Sequence, residues 1–238
     1  MSTILNRPSV TSPTERSSKP IDELHSGDRM TREEFHCLYE QTPKHFKAEL
    51  IGGIVYVASP LSRRHGRSHS LMNYVLVTYE GRTPGVETLD NTTTFLAEDS
   101  EPQPDLSLRV KPDHGGQSQN SADDDYVVGA PELVIEVAHS SKSIDLHAKR
   151  NDYARHVVKE YVVWIVKDGI FFWFDLRENV ERPLRPENII ESFMFPGLWL
   201  DGPAVLAENH ARLTATLEAG LATPEHAAFV KRLAEAKK

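Results

Sequence analysis

Two residues in the run Gly129 to Lys149, GAPELVIEVAHSSKSIDLHAK, are poor choices for a packed core and good ones for chemistry. Leu133 to Val137 has the make-up of a short buried strand. Alternation puts Leu133, Ile135 and Val137 on one face and Glu132, Val134 and Glu136 on the other. A carboxylate in so apolar a run is costly unless a cation or hydrogen bonds meet it. A polar turn, His139 to Ser143, then leads into a helix. There Leu146, Lys149, Tyr153 and Val157 keep the i, i+3, i+7, i+11 spacing of one inward stripe. The pattern therefore predicts an acid on a core strand and an ammonium on the inner face of the next helix.

The elements upstream carry further acids. Phe46 to Ile51 and Ile54 to Ala58 read as two strands joined by a Gly52-Gly53 hairpin turn. Glu49 lies between apolar neighbours there, either as a second functional acid or as a solvent-facing edge residue. Asp105 follows Pro104 at the mouth of a strand in which Leu106, Leu108 and Val110 alternate with Ser107 and Arg109. Between these acids lies the most basic short stretch, with Arg63, Arg64, His65, Arg67 and His69 leading into a helix with Leu71, Val75 and Tyr79 inward. It could face phosphates at a helix N-terminus or be a solvated helix start.

The remaining segments supply scaffold. Residues 1 to 28, rich in Ser, Thr and Pro, read as a mobile tail. Thr31 and Glu34 form a capping box for a helix with Phe35, Leu38 and Tyr39 inward. Val86 to Leu96 reads as one or two strands, and Lys111 to Asp125 as an exposed loop. Its three aspartates lack the spacing of a calcium loop. Glu160 to Val166 and Ile170 to Leu176 form a hairpin. Its aromatics, from Trp164 to Phe174, serve packing or base stacking. A short strand pair spans 189 to 200, and Ala204 to Leu217 and Glu225 to Lys238 are expected as helices. The domain expectation is a tail over 1–28, one domain over 29–201 and a C-terminal helical extension over 202–238.

Composition narrows the class. The 238 residues allow a sizeable core, and no apolar run is long enough to cross a bilayer. One cysteine, Cys37, makes no internal disulfide, and with no signal-peptide pattern at the start the expected location is cytoplasmic. The formal net charge of -8 argues against gripping nucleic acid by bulk positive charge, but not against a local basic patch beside an acidic, metal-filled cleft. No Gly-x-Ser-x-Gly elbow is present, which disfavours a serine hydrolase.

Taken in order, Glu49-Leu50-Ile51-Gly52-Gly53, His65, Pro104-Asp105, Gly129 to Val137, Asp145 with Lys149 and Tyr153, Glu160-Tyr161 and Pro196-Gly197-Leu198 resemble the PD-(D/E)XK nuclease superfamily. More closely they resemble the bacterial restriction endonuclease family once classed as a domain of unknown function, over Thr31 to Leu200. The resemblance implies an α/β restriction-endonuclease-like core with a central mixed sheet flanked by helices. It implies a magnesium site, with manganese as substitute, for phosphodiester hydrolysis of DNA. By position Asp105 and Glu136 would be metal ligands and Glu49 a further ligand or supporting acid. Lys149 would replace the motif lysine, whose usual place two residues after the glutamate is Ala138. His65, Arg67 and Tyr153 are the candidates for substrate binding. The sequence departs from the family at His139, where a serine is usual, at His156, where a glycine is common, and at Gly52, where an aspartate is usual. The alternative is a catalytically inactive module with the same fold, acting as a homodimer; a homodimer is expected in either case.

Overall fold

A computed structural model describes residues 23–138, 141–185 and 187–238. Most of the segment read as a tail and the turn position His139 lie outside the described residues.

Helix α1 (Arg32–Tyr39) starts on a reciprocal cap: the Thr31 hydroxyl accepts from the Glu34 N–H, and the Glu34 carboxylate accepts from the Thr31 N–H at 2.9 Å. The hairpin β1 (Ala48–Ile51) and β2 (Ile54–Val57) turns on Gly52 (φ 58°) and Gly53 (φ 75°), left-handed positions that favour glycine. Long helix α2 (Arg63–Arg82) leads to β3 (Val86–Asp90), β4 (Thr94–Phe95) and β5 (Leu106–Val110). Two short strands, β6 (Gln119–Asn120) and β7 (Val127–Val128), precede β8 (Leu133–Ala138). A widened π-helical turn, Ile144–Lys149, runs into α3 (Arg150–Arg155). Then come β9 (Glu160–Ile165), β10 (Ile170–Asp175), β11 (Val180–Glu181), β12 (Ile189–Glu191) and β13 (Trp199–Asp201). Helices α4 (Gly202–Leu206), α5 (His210–Leu221) and α6 (Pro224–Ala236) follow.

The central sheet has six strands in the order β11-β10-β9-β8-β5-β3. It is mixed, because β8 and β9 run parallel while the other neighbours are antiparallel. Both faces of β8 are buried, as a central strand with a parallel neighbour requires. Its odd-numbered residues, Leu133, Ile135 and Val137, pack with α2, α5 and α6 in the larger core. Val134 and Ala138 pack with Tyr153 and Tyr161 on the α3 side. The alternation thus holds, and it turns Glu136 toward α3. Among the described residues no helix is long and apolar enough to cross a membrane.

Several expectations are corrected. Val157 does not continue the inward stripe: α3 ends at Arg155, Val157 is 66% exposed with φ 61°, and the chain folds back so that Val158 is buried instead. Lys111 to Asp125 is not a plain exposed loop. Ser118 is fully buried, and the Gln117 amide donates to the carbonyls of Ala130 and Val157 at 3.1 Å each. The helix expected over Ala204 to Leu217 is broken into α4 and α5 at Glu208 (φ 50°), where Asn209 caps the second. Glu23 to Asp28 are tied down, with Leu24 buried beside Phe35 and the Gly27 N–H donating to the Val55 carbonyl at 2.8 Å. The C-terminal helices share the main core through Leu213, Leu217, Phe229 and Leu233.

Candidate functional site

Strand register brings the first two acids together. Leu106 of β5 pairs with Ile135 of β8, so Asp105 at the mouth of β5 lies level with Glu136. The Val137 N–H donates to Asp105 Oδ2 at 2.8 Å, and Glu136 Oε2 lies 3.5 Å from the Asp105 amide nitrogen. The hairpin brings the third acid. Leu50 exchanges backbone hydrogen bonds with Glu101, which fixes β1 beside the segment leading to Asp105. The Gln103 N–H then donates to Glu49 Oε1 at 2.7 Å.

Lys149 joins these elements. Its Nζ lies 2.8 Å from Glu49 Oε2, 2.9 Å from Glu136 Oε1 and 3.9 Å from Asp145 Oδ1. The Tyr153 hydroxyl donates to the same Glu136 oxygen at 2.8 Å. Burial would lower the Lys149 pKa, but the charges of Glu136, Glu49 and Asp145 outweigh it and hold the ammonium well above its ordinary value. Burial pushes Glu136 well above the usual carboxylate range, against the pull of Lys149 and with added repulsion from Asp105, Asp145 and Glu49. Asp145 is raised to about 6, chiefly by burial.

Asp105 behaves differently. Burial would raise it, but His65, Lys149 and the Val137 N–H together hold it below its ordinary value. His65 Nε2 sits 3.3 Å from Asp105 Oδ2, and that hydrogen bond raises the imidazole pKa. One turn on, His69 Nε2 donates to the Asp105 carbonyl at 2.9 Å, and the two rings stack with centroids 6.0 Å apart. Helix α2 begins at Arg63 with Ser62 as its cap, so this i, i+4 pair sits in its first turns and grips Asp105 from one side.

Glu49, His65, Asp105, Glu136, Asp145 and Lys149 line one cleft of about 580 Å³. Two expected substrate-binding residues are placed elsewhere. The Arg67 guanidinium turns to α5's start, bonding Glu208 at 2.8 Å and His210 at 3.0 Å. Tyr153 is fully buried beneath Glu136 and positions that carboxylate rather than reaching a substrate. Sequence reasoning placed His69 only in a basic stretch that could face phosphates and gave Asp145 no role of its own. Asp145 was within reach of it, since the i, i+4 relation to Lys149 puts both on one helix face.

The residues suit a hard divalent cation in type and charge. Carboxylates are the donors magnesium prefers, and burial, with added repulsion from the neighbouring acids, has already raised Glu136 and Asp145. Their arrangement is that of an ion-pair network. Lys149 stands between Glu49 and Glu136, and among the described residues no three acidic or histidine side chains are grouped so as to hold a metal. Glu49, expected as a further ligand, has both oxygens engaged, by Lys149 and by the Gln103 N–H.

A mixed sheet flanked by helices, with acids gathered at the end of adjacent central strands, defines a nuclease-like α/β fold. The chain is similar to the crystal structure of a putative nuclease belonging to DUF820 from Anabaena variabilis ATCC 29413, with a TM-score of 0.58 and 12% identity over 75% of this chain and 98% of that one. The profile of the Uma2 family, described as "Putative restriction endonuclease", matches residues 32–203, and the chain belongs to that family. No curated protein is significantly similar to it.

Proposed function

We propose that the protein is a divalent-metal-dependent endonuclease that hydrolyses phosphodiester bonds of DNA. The observation that carries this reading is the meeting of Glu49, Asp105, Glu136 and Lys149, from four separate elements, in one cleft. Four charged groups held at that cost in desolvation are hard to account for by folding alone. Magnesium held by Asp105 and Glu136, with manganese as substitute, would lower the pKa of a bound water and offset charge gathering on the phosphate.

The chain's own groups do the rest. His65, His69 and the Val137 N–H fix Asp105 in orientation, and His65, Lys149 and the Val137 N–H hold its carboxyl below the ordinary value against burial. Tyr153 and Lys149 hold one oxygen of Glu136 and leave the other toward Asp105. The Lys149 ammonium is the point charge available to a phosphate oxygen in the transition state. Lys47 on the cleft wall, exposed beside His45, supplies positive charge that the chain as a whole lacks. Cutting both strands would call for two active sites, so a homodimer belongs to the same proposal.

A second reading is favoured by the Glu49–Lys149–Glu136 network, which satisfies its members without a metal. On that reading the cleft is a relic and the protein acts by association. Incubation with circular plasmid DNA separates them. Magnesium-dependent nicking that is lost with chelator and in Asp105→Asn supports the nuclease; an intact plasmid with magnesium and manganese at every salt concentration supports the relic.

A further inference from the structure

A second recess, of about 380 Å³, lies beside the cleft and has no part in the mechanism above. Its walls include His36, Tyr39, Phe46 and Tyr126, and Glu101 lies among them. Glu101 is completely buried and held by backbone bonds in both directions with Leu50, at 2.8 and 3.2 Å. One carboxylate oxygen pairs with His36 Nδ1 at 2.9 Å. The other, Oε2, is buried and has no hydrogen-bond partner among the described residues. A buried acceptor left unmet costs about 1–3 kcal/mol, and a donor entering the recess would relieve that cost.

The walls narrow what that donor belongs to. The His36 ring stands edge-on to Tyr126 at 5.1 Å, and Tyr39 tilts against Phe46 at 6.4 Å. Such walls accept a flat ring. The recess is also coupled to the cleft. The Gln103 side chain donates to the Tyr39 hydroxyl at 2.9 Å, while its own N–H holds Glu49. Lys44 and Phe46 face the recess, whereas His45 and Lys47 face the cleft, so one short segment forms the rim of both. Glu101 and Asp105 are four residues apart, a span of at most ~14 Å. A nucleic-acid strand laid across that rim could keep a phosphate at the acids and a nearby base in the recess.

We infer that this recess is a base-recognition subsite. It takes an unpaired nucleobase bearing an exocyclic amino group, which donates to Glu101 Oε2 while the ring lies among Tyr39, Phe46 and Tyr126. A carboxylate accepting from the cytosine amino group is an established pairing chemistry. A base can enter only from a single strand or after leaving the duplex stack. The inference rests on the nuclease reading and adds what the enzyme selects.

Anisotropy of labelled single-stranded octamers of dC, dA and dT, measured on the full chain without magnesium, tests it. The wild type is expected to bind oligo-dC and oligo-dA at least about fivefold more tightly than oligo-dT. Glu101→Gln, which keeps shape but places an amide on the carboxyl, should flatten that preference, and Tyr126→Leu should weaken the preferred oligomers. Circular dichroism confirms that both variants fold. Equal binding of the three oligomers by wild type, or a preference that survives Glu101→Gln, overturns the subsite and leaves the nuclease reading intact. No binding of any oligomer, together with no plasmid cleavage, overturns both. Glu101-dependent binding of spermidine that does not compete with oligo-dC also overturns it, in favour of a free polyamine site.

Discussion

Replacing Lys149 with Met keeps the aliphatic stem and removes only the ammonium. Glu136, 4% exposed in its side chain, is then left with the Tyr153 hydroxyl and the long 3.5 Å contact from the Asp105 N–H, and Glu49 and Asp145 lose their shared counter-charge. Breaking a buried pair from one side costs about 3–5 kcal/mol. At ~2–4 °C per kcal/mol for a chain of this size, the melting temperature should fall by ~6–20 °C at pH 8 in chelator. The lysine pKa is raised, so its contribution is full below the ordinary lysine value and fades only as pH climbs past the folded one. The wild-type network therefore keeps its cation across the neutral range. In the variant the acids can relieve their repulsion by taking up protons, so the loss should shrink toward pH 5. The double variant Glu136→Gln/Lys149→Met, which removes both members, should be more stable than Lys149→Met alone. Urea denaturation at pH 8 and pH 5 measures all of this. A Lys149→Met protein as stable as wild type at pH 8, or equally destabilised at both pH values, would refute the reasoning.

Glu136→Gln alone should lower stability by about 1–3 kcal/mol by chemical denaturation, because the carboxylate is met by Lys149 and Tyr153; a gain would mean the acid is merely a burden. Glu160 is raised to about 7 by burial, against hydrogen bonds from Ser192, Trp173 and Met194. Its contribution is full below its ordinary value and is lost as pH rises to about 7, roughly 3 kcal/mol in all, so the fall in stability over that window should flatten in Glu160→Gln; parallel curves would contradict it. Val157→Gly should raise the melting temperature by ~1–4 °C, since relief of about 1–2 kcal/mol of left-handed strain exceeds the entropy cost of glycine; calorimetry reporting a decrease would count against that strain.

The sequence carried the site best where a residue broke a local pattern. Glu136 stood out as an acid in an alternating apolar strand, and Lys149 as a cation on an inward stripe. The mixed sheet followed from the family resemblance. What could not be read locally depended on distant partners. Arg67 looked like a phosphate contact by its basic neighbours, yet Glu208, 141 residues away, turns it from the cleft. Tyr153 was singled out for substrate binding, but its depth under Glu136 makes it a support. The chain passes from a π-helical turn into a short α3 that ends at Arg155, before Val157, an irregularity the 3.6-residue stripe does not announce. His69 was read only as part of a basic stretch, because its partner is a backbone carbonyl, which no side-chain pattern announces.

The account turns on whether the acids at the head of β8 accept a hard cation. A crystal soaked in manganese, with data collected for the metal's anomalous signal, addresses this directly. The account predicts one strong peak bounded by the carboxylates of Asp105 and Glu136, absent in Asp105→Asn. Lys149 still bridging Glu49 and Glu136, with no peak in the cleft at millimolar manganese, would contradict it.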